Sequence, residues 1–408
     1  MSATEQPRAQ SGGFIRGRLM TGADIVEDGL LAFAGDRIDY AGPAGGFDSA
    51  GWTEHELPAG AVLLPGLIDL HCHGARDGDF TTGSNEAIRT AVDFLHRSGT
   101  TTLLASTVSG PHGELLGAMD RLAPLALEGL IAGIHAEGPF LSPARAGAHQ
   151  RVHLCAPDPG LVDELGGASQ GQLRSMTYAP ELEGAEELVD LLTAHGITPS
   201  LGHTDCDAAT AAMALARSGE GLAPAGFDGY SSRPTVTHLF NAMPPFHHRS
   251  PGPAAACLRA AKAGQAVVEL IADGVHLDPQ TVLAVFELVG ADNVALVSDS
   301  CSATGCPDGR YGLGGSEITV ADGVATVEGV LAGGTATLLD VLRSTVAAGV
   351  PLADALTAAS TVPASVLALM DEVGSLRPGY SADVLVTTGE LDLIAVLRRG
   401  QWLSPLGS

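Results

Sequence analysis

Between Leu67 and Asp299 the chain alternates short apolar runs with longer stretches of helical period. Eight runs read as strands: LIDLHCH (67–73), TTLLAST (101–107), IAGIHAE (131–137), RSMTYAPE (174–181), TPSLGHTD (198–205), TVTHLF (235–240), AVVELIADGVH (266–276) and NVALVSD (293–299). Apolar residues at every third or fourth position fill most of the gaps between them. SNEAIRTAVDFLHRSG opens on Ser84, an N-cap candidate, and stops at Gly99; EGAEELVDLLTAHG and DPQTVLAVFELVG also end on glycine. Repeated βα units in this number predict an α/β fold, a (β/α)8 barrel of TIM type over residues 62–372. A doubly wound open sheet is the alternative, weakened because no GxGxxG opens its first helix.

The two chain ends have another texture. FIRGRLM, GLLAFAGDRIDYAG and HELPAGAVLLPG near the start, and GSLRPGYSADVLVTTGELDLIAVLRRGQWL near the end, are short strand-like runs broken by Gly and Asp. Neither end has enough apolar residues to fold alone, so residues 1–61 and 373–408 are expected to pair into one small β-sandwich domain.

Composition narrows the class. The 408 residues are 45% hydrophobic but only 4% aromatic, with 53 glycines, which suits aliphatic cores under many tight loops. Six cysteines, Cys72, Cys155, Cys206, Cys257, Cys301 and Cys306, show no CxxC spacing and read as reduced thiols in a cytoplasmic protein. The N-terminal MSATEQPRAQSGG is polar, without an apolar signal core. No apolar run reaches the ~18 residues of a membrane span. A net charge of −26 argues against nucleic acid and anionic membranes as partners. An anionic substrate would therefore need a local basic feature, and Lys262 is the single lysine among the cations.

The polar residues that interrupt this pattern gather at the C-terminal ends of the predicted strands. The first ends in His71 and His73, the third in Glu137, the fifth in His203 and the sixth in His238; the seventh leads to Asp273 and His276, and the eighth ends in Asp299. In a barrel these ends share one mouth, where active sites are built. Residues two apart on a strand share a face, so His71 and His73 point together and Cys72 points away. One such histidine is commonly a hydrogen-bonded polar cap. Four histidines and two carboxylates on one mouth instead form an N/O donor set suited to zinc or a similar divalent ion.

These residues and their surroundings resemble the amidohydrolase superfamily, and within it the N-acetylglucosamine-6-phosphate deacetylase group. The resemblance covers nearly the whole chain. It rests on PGLIDLHCHG, GIHAEGPFLSPARAGAH, YAPE, SLGHTD, THLFNAMPPFHHRSPG, IADGVHLDP, LVSDS, LAGG and GSLRPGYSADVLV, in that order. It implies a metal-dependent hydrolase that removes the acetyl group of N-acetylglucosamine 6-phosphate. Glu137, His203 and His238 would hold one divalent metal, with zinc expected and Fe, Mn, Co or Cd as alternatives, and His71 and His73 would add a second. Lys262 lies in a helix-like segment, so Glu137 and no carbamylated lysine would bridge the ions. Asp299 would be the general base and acid, and His276 the donor to the carbonyl oxygen. Ala148, His149, Asn241 and Ala242 would contact the sugar or its phosphate, and Leu331, Ala332 and Gly333 would line the sugar pocket. Arg249 would reach the phosphate from the neighbouring subunit of a homodimer, while His247 and His248 stay loop residues. Arg76 and Asp77 depart from the glycine-rich stretch expected after HCHG and put charge near the mouth. The rival readings are a deacetylase of N-acetylgalactosamine 6-phosphate or of an N-acyl amino acid, and a catalytically silent scaffold of the same fold.

Overall fold

The computed structural model describes residues 12–22, 24–225 and 230–403. The polar segment 1–11, read above as lacking a signal core, lies outside the described residues. The chain divides into two compact units, residues 1–66 with 371–408, and residues 67–370.

In the larger unit the eight predicted strands all form, seven of them shorter than their apolar runs and the second slightly longer. They are β1 (Leu67–Cys72), β2 (Thr100–Val108), β3 (Gly133–Glu137), β4 (Leu173–Tyr178), β5 (Thr198–Leu201), β6 (Thr235–Val236), β7 (Val267–Leu270) and β8 (Val294–Leu296). Each pairs in parallel with the next, in sequence order. The strands end early because the chemistry-bearing residues leave the extended conformation: His203, His238 and Asp299 have φ of 48°, 27° and 48°. Non-glycine residues adopt such angles at a cost, and they cluster at functional sites.

The ring closes between β1 and β8 by other means than a regular ladder. Asp69, fully buried, accepts the Ser298 hydroxyl at 2.6 Å and the backbone N–H groups of His71 and Ser298. One isolated bridge pairs Cys72 with Ser300. The backbone N–H of Asp299 donates to His71 O at 2.9 Å, and that of His73 donates to Ser300 O at 2.6 Å.

Helices cover the outside. Ser84 caps Asn85–Arg97 by accepting the Ala87 N–H, and Asp278 caps Pro279–Val289 through Gln280. Outward residues of β1 to β4, among them Cys72, Ile134, Ala136 and Met176, pack with helical Leu95, Leu122 and Leu188. The interior differs from the aliphatic layers usual for such barrels. His135 Nδ1 pairs with Ser106 Oγ at 2.9 Å and its Nε2 with Thr177 Oγ1 at 2.7 Å. Thr177, Thr237 and Ser200 hydroxyls continue the chain at 2.8 and 2.6 Å. Burial, with His71 beside it, lowers the His135 pKa strongly, so the ring is neutral.

After β8 a four-stranded antiparallel meander, Gly309–Leu313, Ser316–Ala321, Val324–Val327 and Val330–Leu331, adds a small layer. Its turns are Gly314-Gly315, Asp322-Gly323 and Glu328-Gly329, and all six residues have positive φ. That is the two-residue hairpin geometry matching the twist of its strands.

In the smaller unit, strands from both chain ends hydrogen-bond into one sheet. Val384–Thr387 pairs antiparallel with Val62–Pro65, which pairs in parallel with Gly13–Met20. Two apolar clusters fill it, one around Ile15, Leu31, Leu63 and Val384, the other around Phe14, Leu30 and Ala32. The alternation of Leu30 and Ala32 with Leu31 and Phe33 assigns neighbours on one strand to different clusters. Among the described residues no helix is long and apolar enough to cross a membrane.

Candidate active site

Strand pairing carries His71, His73, Glu137, His203, His238 and Asp299 to one end of the barrel, all buried. Glu137 is the centre. Its Oε1 lies 3.0 Å from His203 Nε2, 2.9 Å from His238 Nε2 and 3.6 Å from His71 Nε2. Its Oε2 lies 3.3 Å from His73 Nε2 and 3.1 Å from His149 Nε2. Asp299 Oδ1 stands 3.4 Å from His71 Nε2 and 3.1 Å from His73 Nε2.

The far nitrogens reveal what the near ones present. His71 Nδ1 faces Glu269 Oε2 at 3.4 Å, His73 Nδ1 faces Ser106 O at 3.2 Å, and His203 Nδ1 faces Arg145 O at 2.8 Å. Those partners only accept, so each Nδ1 carries the proton and each Nε2 turns a lone pair inward. The inward nitrogens then meet as pairs, His71 with His73 at 3.0 Å and His203 with His238 at 3.1 Å. Lone pairs this close repel unless a proton or a cation intervenes. The donor set therefore fits divalent ions at two positions, one between Glu137, His203 and His238, the other among His71, His73, Asp299 and Glu137.

His149 stands within ligand distance of Glu137 and His203. Its protonation separates it from the others. Its Nδ1 accepts the backbone N–H of Ser109 at 3.2 Å, so its proton sits on Nε2 and is donated to Glu137 Oε2. It is a hydrogen-bond donor at the rim of the donor set.

Charge follows the same geometry. Burial opposes ionisation of Glu137, but His71, His149 and His203 together hold its pKa well below the usual carboxylate range. Asp299 is lowered likewise, with His71 and His73 overcoming burial. In return burial would lower His73, yet bonds to Asp299 and Glu137 raise it to about 9, and His71 is raised well above its ordinary value. Without a cation, protons supply the positive charge that the carboxylates require.

A cavity of about 310 Å³ opens on these groups. Ala148, His149, Asn241, Ala242, Leu331 and Gly333 line it, as does His276. His276 Nδ1 donates to Asp273 Oδ2 at 2.8 Å, which leaves Nε2 as the free nitrogen of a ring on the cavity wall. Burial lowers its basicity, but the bond and charge of Asp273 more than restore it, so its pKa lies above the ordinary histidine value. Asn241 turns its side-chain amide back to His238 O at 3.1 Å.

Several expectations are corrected. Ala332 does not line the cavity: it is fully buried in the apolar cluster with Leu313, Ile318 and Ala325. Arg76 and Asp77 are exposed and outside the lining. Arg76 instead donates to Gly305 O at 2.7 Å and lies over the Phe94 ring. Arg249, expected to serve a neighbouring subunit, is no correction: it is exposed on its loop and does not line its own chain's cavity, and among the described residues no Arg or Lys does. Asp69, His135 and Glu269, buried beneath the donor set, were not singled out by sequence. Ser109, Gln150 and Ser316 also line the cavity, and Gln150 donates to Ser316 Oγ at 3.1 Å, tying a loop to the meander.

Residues 62–210 and 225–403 match the model of the amidohydrolase family. The chain is similar to N-acetylglucosamine-6-phosphate deacetylase of Bacillus subtilis (strain 168), with 34% identity over 85% of this chain and 86% of that protein. It is 32% identical to N-acetylgalactosamine-6-phosphate deacetylase of Escherichia coli O157:H7 over 84% of this chain and 88% of that one. A solved structure of a mutant N-acetyl-D-glucosamine-6-phosphate deacetylase from Mycobacterium smegmatis, in complex with N-acetyl-D-glucosamine-6-phosphate, superposes with a TM-score of 0.88 at 35% identity, covering 96% of this chain and 99% of that one.

Proposed function

The chain belongs to the amidohydrolase family, and from that premise we propose that it hydrolyses the N-acetyl group of N-acetylglucosamine 6-phosphate to glucosamine 6-phosphate and acetate. The observation that carries this reading is the Glu137-centred donor set opening directly on a cavity of about 310 Å³, room for one phosphosugar. Family membership and donor chemistry support a divalent metal. Zinc is the ion proposed, held by Glu137, His203 and His238, with a second held by His71 and His73; the N/O set suits its tetrahedral preference.

When bound, such an ion lowers the pKa of a water and polarises the acetyl carbonyl. The chain's own residues do the rest. Asp299, kept ionised, takes the proton of the attacking water and delivers it to the departing amine, since an amide nitrogen leaves only once protonated. His276, whose pKa Asp273 raises above the ordinary histidine value, donates in its protonated form to the carbonyl oxygen as negative charge develops there. His149 and Ala242 stand on the cavity wall to orient the sugar.

The phosphate needs a cation, and among the described residues no Arg or Lys lines the cavity of one chain. That gap, together with the exposure of Arg249, supports a homodimer in which Arg249 enters the neighbouring site. A bidentate guanidinium suits phosphate.

A substrate panel tests the reading. kcat/KM for N-acetylglucosamine 6-phosphate should exceed that for unphosphorylated N-acetylglucosamine and N-acetyl amino acids by at least about 100-fold, the worth of two lost charge-assisted bonds. Equal rates would sink it. N-acetylgalactosamine 6-phosphate belongs in the same panel because a relative of 32% identity is named for it; a preference for that sugar would move the assignment to the second reading.

A further inference from the structure

Beneath the donor set Glu269 is 4% exposed and its carboxylate faces the His71 ring. It projects from β7 toward the barrel interior, where its Oε2 meets two donors: His71 Nδ1–H at 3.4 Å and the backbone N–H of His238 at 3.3 Å. Its own backbone carbonyl accepts the N–H of Leu239 at 2.9 Å. Glu269 thus brackets His238, whose φ of 27° is strained, from both sides. We infer that Glu269 is a positioning residue that fixes the His71 ring for a second divalent ion and ties that position to the first through the backbone of His238.

Three comparisons within the site support this. The Nδ1 acceptors of His73 and His203 are neutral carbonyls, whereas His71 alone of these three has a carboxylate. A carboxylate acceptor makes an imidazole a stronger ligand and locks its tautomer. His71 also meets Glu137 at 3.6 Å and Asp299 at 3.4 Å, so three buried carboxylates converge on one ring. One divalent ion held by Glu137, His203 and His238 leaves one of those three negative charges uncompensated in a dry interior, which favours a further cation at His71 and His73.

The inference rests on reading His71 and His73 as ligands, and its test needs no substrate. Metal-stripped protein is dialysed against buffered zinc and its zinc counted by elemental analysis; cobalt titration followed by visible absorption reports the two positions separately. The unaltered chain should take two ions, and Glu269→Gln should bind the second about 10- to 100-fold more weakly while keeping the first. In a His71→Ala background, Glu269→Gln should change the second step no further, because both act through one ring. Equal loss of both ions would mean a merely structural role and overturn the inference. So would a single ion in the unaltered chain, or two ions of unchanged affinity in Glu269→Gln. If that variant fails to fold, histidine 15N spectra of the unaltered zinc-loaded protein decide: His71 must carry its proton on Nδ1, and a bare Nδ1 refutes the assignment. Each outcome stands whether or not the protein deacetylates a phosphosugar.

Discussion

Replacing Asp273 with asparagine removes one charge and almost no volume. In the native chain Asp273 Oδ1 accepts the backbone N–H groups of Val275 and His276 at 2.9 and 2.8 Å, and Oδ2 accepts His276 Nδ1–H at 2.8 Å. Asparagine keeps Oδ1 on the two backbone donors, so its amide faces Nδ1 and donates to it. The imidazole then holds its proton on Nε2 and stays a donor to the cavity, but a neutral one. Hydrogen bonds from a charged donor are worth about 1.5–3 kcal/mol against about 0.5–1.5 kcal/mol for a neutral pair. The difference of roughly 1–1.5 kcal/mol corresponds to about a tenfold loss of kcat. His276→Ala, which removes the donor, should lose about 10²–10³. The pH profile separates charge from shape. His276 has a raised pKa, so activity that depends on its protonated form holds at low pH and falls as pH rises through that pKa. Without Asp273, burial lowers it against the charge of Asp299 alone, and the basic limb should move to lower pH. A kcat and basic limb both unchanged in Asp273→Asn would refute the dyad.

Four further outcomes follow from the same geometry. Asp299→Asn should keep its fold yet lose about 10²–10⁴ in kcat, measured by acetate release, and unchanged turnover would dismiss Asp299 as the proton carrier. Replacing both His71 and His73 with alanine should lower bound zinc toward one ion per chain, and two retained ions would contradict the ligand assignment. Arg249→Ala and Asp299→Asn chains, each inactive alone, should regain activity when co-expressed, since one mixed site would combine an intact Asp299 with a partner's Arg249; no recovery in verified mixed dimers argues against the shared site. In stripped protein His73, raised to about 9, contributes stability in full below about 6.5 that disappears as pH rises through about 9. Its melting temperature should therefore fall across that window, while zinc-loaded protein stays flatter; parallel curves would count against the proton-for-cation exchange.

The barrel was legible because parallel strands buried on both faces read as apolar runs, and the helices between them stop on glycine. Its mouth was legible because polar residues ending such runs need a reason. The residues below the mouth were harder. Asp69 and Glu269 each interrupt an apolar run with one carboxylate, which by pattern alone resembles a strand end, and His135 is overshadowed by Glu137 two residues later. Nothing local says that Asp69 will meet Ser298, 229 positions away. The meander had a signal that could have been used: GG, DG and EG doublets at Gly314, Asp322 and Glu328, spaced by alternating runs such as SEITVA. Arg76 misled because proximity in sequence to His73 is not proximity to the cavity; the chain turns away at Gly74, where a Cβ would lie 2.0 Å from Gly78 O. One local packing demand has a measurable size. At Gly202, beside His203, a Cβ would lie 2.7 Å from Thr237 Cβ and 3.0 Å from Thr177 Cγ2. Gly202→Ala should cost about 1–3 kcal/mol and lower the melting temperature, and an unaffected melt would show that the interior hydroxyls yield freely.

The closure between β1 and β8 has a consequence for how the molecule comes apart. His71 and His73 stand on one side of it and Asp299 on the other, so an ion shared among them would be a cross-link between the first and last staves of a ring. A chelator should then act as a mechanical reagent as well as a chemical one. Amide hydrogen exchange at Ser300 and His73, whose backbones meet at that joint, should quicken on chelation before the rest of the barrel does.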